Sequence, residues 1–108
     1  MKFNEHERID MHYISDPGHG WLRVSVEDLR TIGVADSISD YSFLSPAWAS
    51  VRYAYLEHDS DTGTFLEALI KLGYRRDVDY FITEVEYEDF QRQVVRPNEL
   101  EYFSARNV

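Results

Sequence analysis

The stretch RIDMHYISDPGHGWLRVS, residues 8–25, decides how this chain begins to fold. From Ile9 to Tyr13, apolar and polar residues alternate, which is the pattern of a half-buried strand. The alternation resumes after the turn, where Leu22 and Val24 lie on one side. The stretch therefore predicts a β-hairpin whose strands are joined by the five residues DPGHG.

Most of this connection can be explained by turn chemistry. Pro17 and Gly18 suit the two central positions of a type II turn, and Gly20 leaves the backbone of the second strand free to adjust. His19 and Trp21 are not required by such a turn. An exposed tryptophan beside a histidine is typical of a binding surface, so we interpret both residues as contacts for a partner.

A second interpretation makes the same turn a small-molecule site. Asp16 and His19 are zinc or manganese ligand types, and a later turn offers His58, Asp59 and Asp61. The alternative function is then a small nucleotide-binding, sequestering or hydrolysing protein centred on the Asp16–Trp21 turn, and a metal site would require the two turns to meet. Because turn chemistry is the simpler explanation, we assign no metal and no cofactor.

Two helices are expected after the hairpin. In SVEDLRTIG, Ser25 can cap the first helix and Gly33 can end it. In TFLEALIKLG, Thr64 and Glu67 form a capping box, and Gly73 ends the second helix. Its apolar stripe is predicted at Phe65, Leu66, Leu69 and Ile70.

The remaining patterns complete the fold prediction. Residues 51–57 and 78–88 are predicted as a third and a fourth strand, and a serine-rich loop precedes the third strand. The connections are too short for a doubly wound sheet, which favours an α+β class. We predict one domain, residues 1–108, with a mainly antiparallel sheet of about four strands and two short-to-medium helices. Residues 90–108 carry mixed signals.

Charge restricts the classes of partner. The chain has 20 Asp and Glu against 11 Lys and Arg, a formal net charge of −9. Nucleic acids and anionic membranes would be repelled, whereas a partner with a basic surface would be attracted. The sequence has no cysteine, no apolar run of membrane-spanning length and no pattern of a signal peptide. We therefore expect a soluble, cytoplasmic protein.

An acidic row lies in the fourth predicted strand. Glu84, Glu86 and Glu88 recur at every second residue, so in a strand they project from one face about 7 Å apart. Such a line of carboxylates imitates a phosphate backbone and suits a groove lined with Arg and Lys. The alternative is an edge strand kept soluble by charge. The row is flanked by Asp77, Asp79 and Asp89.

Nine of the basic residues are arginines, and two of them are adjacent, Arg75 and Arg76. Together with Tyr53, Tyr55 and Trp48 they could hold a phosphate or stack on a base. The glycine-rich loops of the common nucleotide-binding motifs are absent from the sequence. Salt bridges to the abundant carboxylates are the alternative use of these arginines.

Three motifs resemble those of a group of small proteins encoded by phages and plasmids of proteobacteria. The group has a D-P-G-H-G-W turn, matched here by Asp16–Trp21, and an I-S-x-Y-S-Y stretch, matched by Ile38–Phe43. Its Y-L-E-x-D-x-D turn is matched by Tyr55–Asp61. The resemblance covers about two thirds of the chain, and it departs at Phe43, where the group tends to have tyrosine, and in an insertion before the third strand.

The resemblance implies a mobile-element context, in which small acidic proteins are often inhibitors of host defence. Together with the charge, it leads us to expect a non-enzymatic inhibitor that binds a basic host protein or nucleoprotein complex of the CRISPR or restriction type. No direct nucleic-acid or membrane binding is expected. The predicted contact residues are Glu84, Glu86, Glu88, Asp77, Asp79, Asp89, His19 and Trp21.

Overall fold

A computed structural model describes residues 8–16, 18–46, 48–86 and 100–108. The strands are β1 (Ile9–Asp16), β2 (His19–Ser25), β3 (Phe43–Leu44), β4 (Tyr53–Glu57), β5 (Tyr80–Glu86) and β6 (Glu101–Tyr102). The α-helices are α1 (Val26–Ile32) and α2 (Asp61–Lys71), with short 3₁₀ helices at Ala35–Ser37 and Ala105–Asn107. Within the described ranges, neither helix is both long and apolar enough to cross a membrane.

The six strands form one mixed sheet in the order β5-β1-β2-β4-β3-β6. Every neighbouring pair is antiparallel except β1 and β5, which are parallel. The predicted α+β class with two helices is confirmed, but the count of about four strands is wrong. The additional strands β3 and β6 have two residues each, too few for a period-two pattern to reveal them.

The parallel pair results from the connection between β4 and β5. Helix α2 carries the chain across one face of the sheet, so β5 enters in the same direction as β4 and β1. A parallel neighbour needs such a crossover, whereas antiparallel neighbours can be joined by a tight turn. The pairing register runs from Ile9 with Tyr80 to Ser15 with Glu86. Among the described strands, β5 is at the edge of the sheet.

The predicted hairpin of β1 and β2 is confirmed, but its connection is shorter than expected. Asp16 pairs with His19, so two residues rather than five join the strands. The predicted type II turn depends on Pro17, which lies outside the described residues. The short connection fixes which residues of β1 and β2 are opposite each other.

Both helices cover the same face of the sheet. The side chain of Ser25 accepts a hydrogen bond from the Asp28 amide at 3.0 Å, and Gly33 ends α1 with a φ of 85°. This confirms the predicted start and end of α1. The main core joins the buried residues of the two helices to those of the sheet, and it includes Leu22, Val24, Leu29, Leu56, Phe65 and Leu69.

Helix α2 differs from its prediction at the N-terminus. It begins at Asp61 rather than Thr64, and the Thr64 hydroxyl donates to the Ser60 carbonyl at 3.2 Å, one turn back. The predicted capping box is therefore wrong, because Thr64 lies inside the helix. Ile70 is also misplaced in the predicted stripe, since its side chain is 62 % exposed.

Candidate functional site

The hairpin turn and the turn after β4 lie side by side. Trp21 of β2 pairs with Glu57 of β4, and the His58 amide donates to the Gly20 carbonyl at 3.1 Å. The two turns therefore meet, which the metal interpretation requires but the sequence alone could not show. Between the two turns is a shallow cavity of about 330 Å³, the hairpin cavity, lined by Tyr13, Gly18, His19, Gly20, Trp21, Glu57, His58 and Asp59.

One wall of the hairpin cavity is the Tyr13 side chain, which lies across Gly20. The Tyr13 hydroxyl is 2.5 Å from Nδ1 of His58, and the two rings meet edge to face with centroids 5.7 Å apart. A Cβ atom at Gly20 would be 2.0 Å from Oη of Tyr13. Only glycine at position 20 leaves room for this tyrosine–histidine contact.

The environment of Tyr13 is acidic. Burial raises the pKa of the Tyr13 phenol above its ordinary value, and the charges of Asp59 and Glu84 raise this pKa further. Glu84 is the pairing partner of Tyr13 on β5. The carboxylates of Asp59 and Glu84 therefore place negative charge around the phenol, which favours a cation over an anion beside it.

This environment predicts a measurable titration. We expect the Tyr13 phenol to ionise above the ordinary pKa of 10.0 in the folded protein. A difference between ultraviolet titrations of the native chain and Tyr13→Phe isolates this phenol from the other tyrosines. The contribution of the protonated Tyr13 phenol to the free energy of unfolding is fully present below pH 10.0. It is lost as the pH rises through the raised pKa of the folded state. A difference curve centred at or below the ordinary value would contradict the acidic environment.

Trp21 does not present its ring to solvent. Its side chain is 5 % exposed and packs with Ile14 and Tyr55 on the sheet face opposite the helices. The ring therefore belongs to a buried cluster on this second sheet face, and a role of Trp21 in partner contact stays a prediction. The indole Nε1 is buried and has no hydrogen-bond partner among the described residues.

His19 is exposed at the mouth of the hairpin cavity, as the contact interpretation requires. Its ring is nearly parallel to that of Trp21, with centroids 6.4 Å apart and an interplanar angle of 9°. Trp21 in turn meets Phe43 edge to face at 5.4 Å. The buried Trp21 ring therefore packs beneath the exposed His19 ring.

The structure describes two of the three glutamates of the predicted acidic row. Glu84 and Glu86 are exposed and lie on the same face of β5, at the sheet edge beside the hairpin cavity. We call these two residues the acidic edge. Glu88 and Asp89 lie outside the described residues, so their placement in the row stays a prediction.

The two flanking aspartates are not part of the acidic edge. Asp77 lies in the turn before β5 with a φ of 66°, and Asp79 accepts a hydrogen bond from the Arg75 amide at 2.8 Å. About 17 Å of extended chain separates Asp79 from Glu84. Asp77 and Asp79 therefore lie at the opposite end of β5 from Glu86, and their role as partner contacts stays a prediction.

A buried carboxylate connects two of the sequence motifs. Asp61 is 1 % exposed and accepts hydrogen bonds from the Ser39 amide at 3.1 Å and the Ser39 hydroxyl at 2.6 Å. The hydroxyl of Ser42, which is fully buried, donates to Asp61 at 2.6 Å and accepts from the Glu57 amide at 2.9 Å. This network fixes the loop before β3 against the start of α2, beneath the turn that forms the cavity.

Asp61 does not fit the metal interpretation as a ligand, because its carboxylate is buried and accepts hydrogen bonds from Ser39 and Ser42. Over the described ranges, no group of three His, Cys, Asp or Glu residues is placed to hold a metal ion. The side chain of Asp16 lies outside the described part of the chain. The candidate binding site of the small-molecule hypothesis is therefore the hairpin cavity rather than a metal centre.

The predicted cluster of arginines and aromatic rings does not assemble. Arg75 and Arg76 precede β5, which lies three strand positions from β4 with its Tyr53 and Tyr55, about 14 Å across the sheet. Tyr55 is buried at 7 % exposure. Tyr53 is instead covered by Arg23, whose guanidinium carbon is 4.6 Å from the ring centroid.

Sequence reasoning missed Tyr13, Gly20, Ser39 and Ser42 as parts of this region. A hairpin register with a two-residue turn places Tyr13 diagonally opposite Gly20, which is the signal that could have found that pair. Ser39 and Ser42 lie within a resemblance motif but carry no local pattern that indicates Asp61.

No protein-family model matches the sequence, and the curated proteins and the solved structures give no match either.

Proposed function

We propose that this chain is a non-enzymatic inhibitor, carried by a phage or plasmid, that blocks a host defence complex of the CRISPR or restriction type. It acts by occupying the basic surface that binds nucleic acid in that complex. The supporting observation is the pairing of Glu84 with Tyr13, which joins the acidic edge to the hairpin cavity in one negative surface.

The charge of this surface is available to a partner. Among the described residues, Lys71 and Glu67 form an ion pair at 3.6 Å, whereas Glu84 and Glu86 take part in none. Exposed carboxylates in a row at a sheet edge attract a basic groove and repel nucleic acid. The formal net charge of −9 acts in the same direction over a longer range.

The test is a double charge reversal, Glu84→Lys with Glu86→Lys. We expect Kd for the inhibited complex to rise at least about tenfold and its dependence on salt to flatten, because two favourable contacts become repulsive. Phage plating on cells that carry individual restriction or CRISPR systems identifies the complex, and titration of the purified complex gives the affinity.

The matched control is Asp36→Lys with Asp40→Lys, which changes the net charge equally at two exposed carboxylates elsewhere. If both double variants lose the same affinity, general charge rather than the acidic edge determines binding. If the reversal of Glu84 and Glu86 leaves inhibition intact, the proposal is wrong. Circular dichroism of each variant verifies that the fold is kept.

The hairpin cavity favours a second candidate, a nucleotide-binding or hydrolysing protein centred on Asp16–Trp21. Glu57 and Asp59 on the cavity wall oppose it, because carboxylates repel phosphate groups. Native mass spectrometry of the purified chain and thermal shifts with common nucleotides test this candidate. A retained nucleotide would favour it over the inhibitor.

A further inference from the structure

We propose that the hairpin cavity binds an arginine side chain of the basic partner; this inference rests on the proposed function. The acidic edge would attract the partner, and the cavity would receive one guanidinium group as an anchor. Arginine is among the residues that contribute most to protein interfaces when it enters a desolvated pocket.

The lining of the cavity is suited to a cation. Glu57 and Asp59 contribute carboxylates, while none of its eight described lining residues is Lys or Arg. One oxygen of Glu57 accepts from the Ser60 amide at 2.8 Å, so this carboxylate is held in place by the turn. A guanidinium presents a planar fork of donors that matches fixed carboxylate oxygens.

The aromatic walls favour guanidinium over ammonium. Tyr13, His19 and Trp21 line the cavity, and arginine stacks on aromatic faces more readily than lysine does. The volume of about 330 Å³ is at the lower end of the range for ligand sites, which suits one side chain rather than a large ligand.

Trp21 provides a reporter for binding in this cavity. Its indole N–H has no acceptor among the described residues, although the side chain is 5 % exposed and lines the cavity. Buried indole N–H groups normally have a hydrogen-bond partner. Because Nε1 is itself buried, a ligand in the cavity does not contact this donor, and its NMR signal reports changes in the cavity wall from beneath.

The test uses three blocked tripeptides, Gly-Arg-Gly, Gly-Lys-Gly and Gly-citrulline-Gly, titrated into the native chain. Citrulline has the shape of arginine without its charge. The readout is the NMR signal of the Trp21 indole N–H, assigned by its persistence in Trp48→Phe. We expect the arginine peptide to shift this signal, the lysine peptide to bind at least about fivefold more weakly and the citrulline peptide to cause no shift.

Asp59→Asn should raise Kd for the arginine peptide at least about threefold, because it removes one charge from the cavity wall. Asp36→Asn removes the same charge at a different exposed position and should leave Kd within about twofold. Equal binding of the arginine and lysine peptides, or equal effects of the two variants, would overturn the arginine site. So would an indole signal that moves only with a guanine nucleoside.

The test of the arginine site and the test of the proposed function can fail independently of each other. Loss of inhibition on reversal of Glu84 and Glu86, without any peptide binding, would remove the arginine site alone. Arginine-peptide binding in a chain whose inhibition survives that reversal would remove the proposed mode of inhibition alone.

Discussion

Replacing Asp61 with alanine is expected to lower the free energy of unfolding by about 3–5 kcal/mol. Asp61 is 1 % exposed and accepts three hydrogen bonds, two from Ser39 and one from Ser42. Without the carboxylate, the buried Ser42 hydroxyl and the part-buried Ser39 donors lose their acceptor, and the loop before β3 loses its attachment to α2. Urea unfolding followed by circular dichroism measures the loss.

Two further variants make this test specific. Asp61→Asn keeps the volume and one acceptor, so we expect a smaller loss of about 1.5–3 kcal/mol. Asp59→Ala removes an exposed carboxylate two residues away and should change stability by no more than about 0.5 kcal/mol. Equal losses for Asp59→Ala and Asp61→Ala would mean that the buried network does not stabilise the fold.

The local elements were largely predictable from sequence. The hairpin follows from alternation between Ile9 and Val24, and α1 follows from a serine cap and a closing glycine. Each of these signals lies within a few residues of the structure it specifies. The same holds for Glu84 and Glu86, whose spacing alone places them on one face of a strand.

The start of α2 was not predictable because tertiary contacts override the local signal. Thr64 and Glu67 form a good capping pattern, yet Asp61 and Thr62 are already buried at the helix start. The Thr62 hydroxyl donates to the Leu56 carbonyl at 3.0 Å, which fixes the chain to β4 directly after the turn. Helix propensity determines where a helix begins less strongly than tertiary contacts of this kind do.

The candidate site was less predictable than the fold. The hairpin cavity exists because β2 and β4 pair with Trp21 opposite Glu57, and no local pattern specifies that register. Alternation does place Trp21 on the face opposite Leu22, but it does not reveal that this face is buried too. Sites that depend on pairing between distant strands are therefore the ones that sequence patterns leave open.

Replacing Gly20 with alanine is expected to destabilise the fold by about 2–3 kcal/mol and to open the hairpin cavity. The new Cβ would be 2.0 Å from Oη and 2.8 Å from Cζ of Tyr13. Because the strand backbone cannot move far, the tyrosine ring must leave and its contact with His58 is lost. Urea unfolding measures the cost, and the cross-peaks of Tyr13 and His58 in NMR spectra report the displaced ring.

A double-mutant cycle isolates the cause. With Tyr13→Ala in place, the nearest remaining atom to the new Cβ is Cβ of His58 at 3.4 Å, so Gly20→Ala should cost little in that background. The coupling between the two positions is then about 2 kcal/mol. Gly63→Ala in α2, where the added Cβ has no atom within 4 Å apart from its chain neighbours and the nearby helix backbone, should instead stabilise the protein by about 0.5–1 kcal/mol. If Gly20→Ala costs the same with and without the tyrosine, the close approach of Tyr13 is not what requires glycine here.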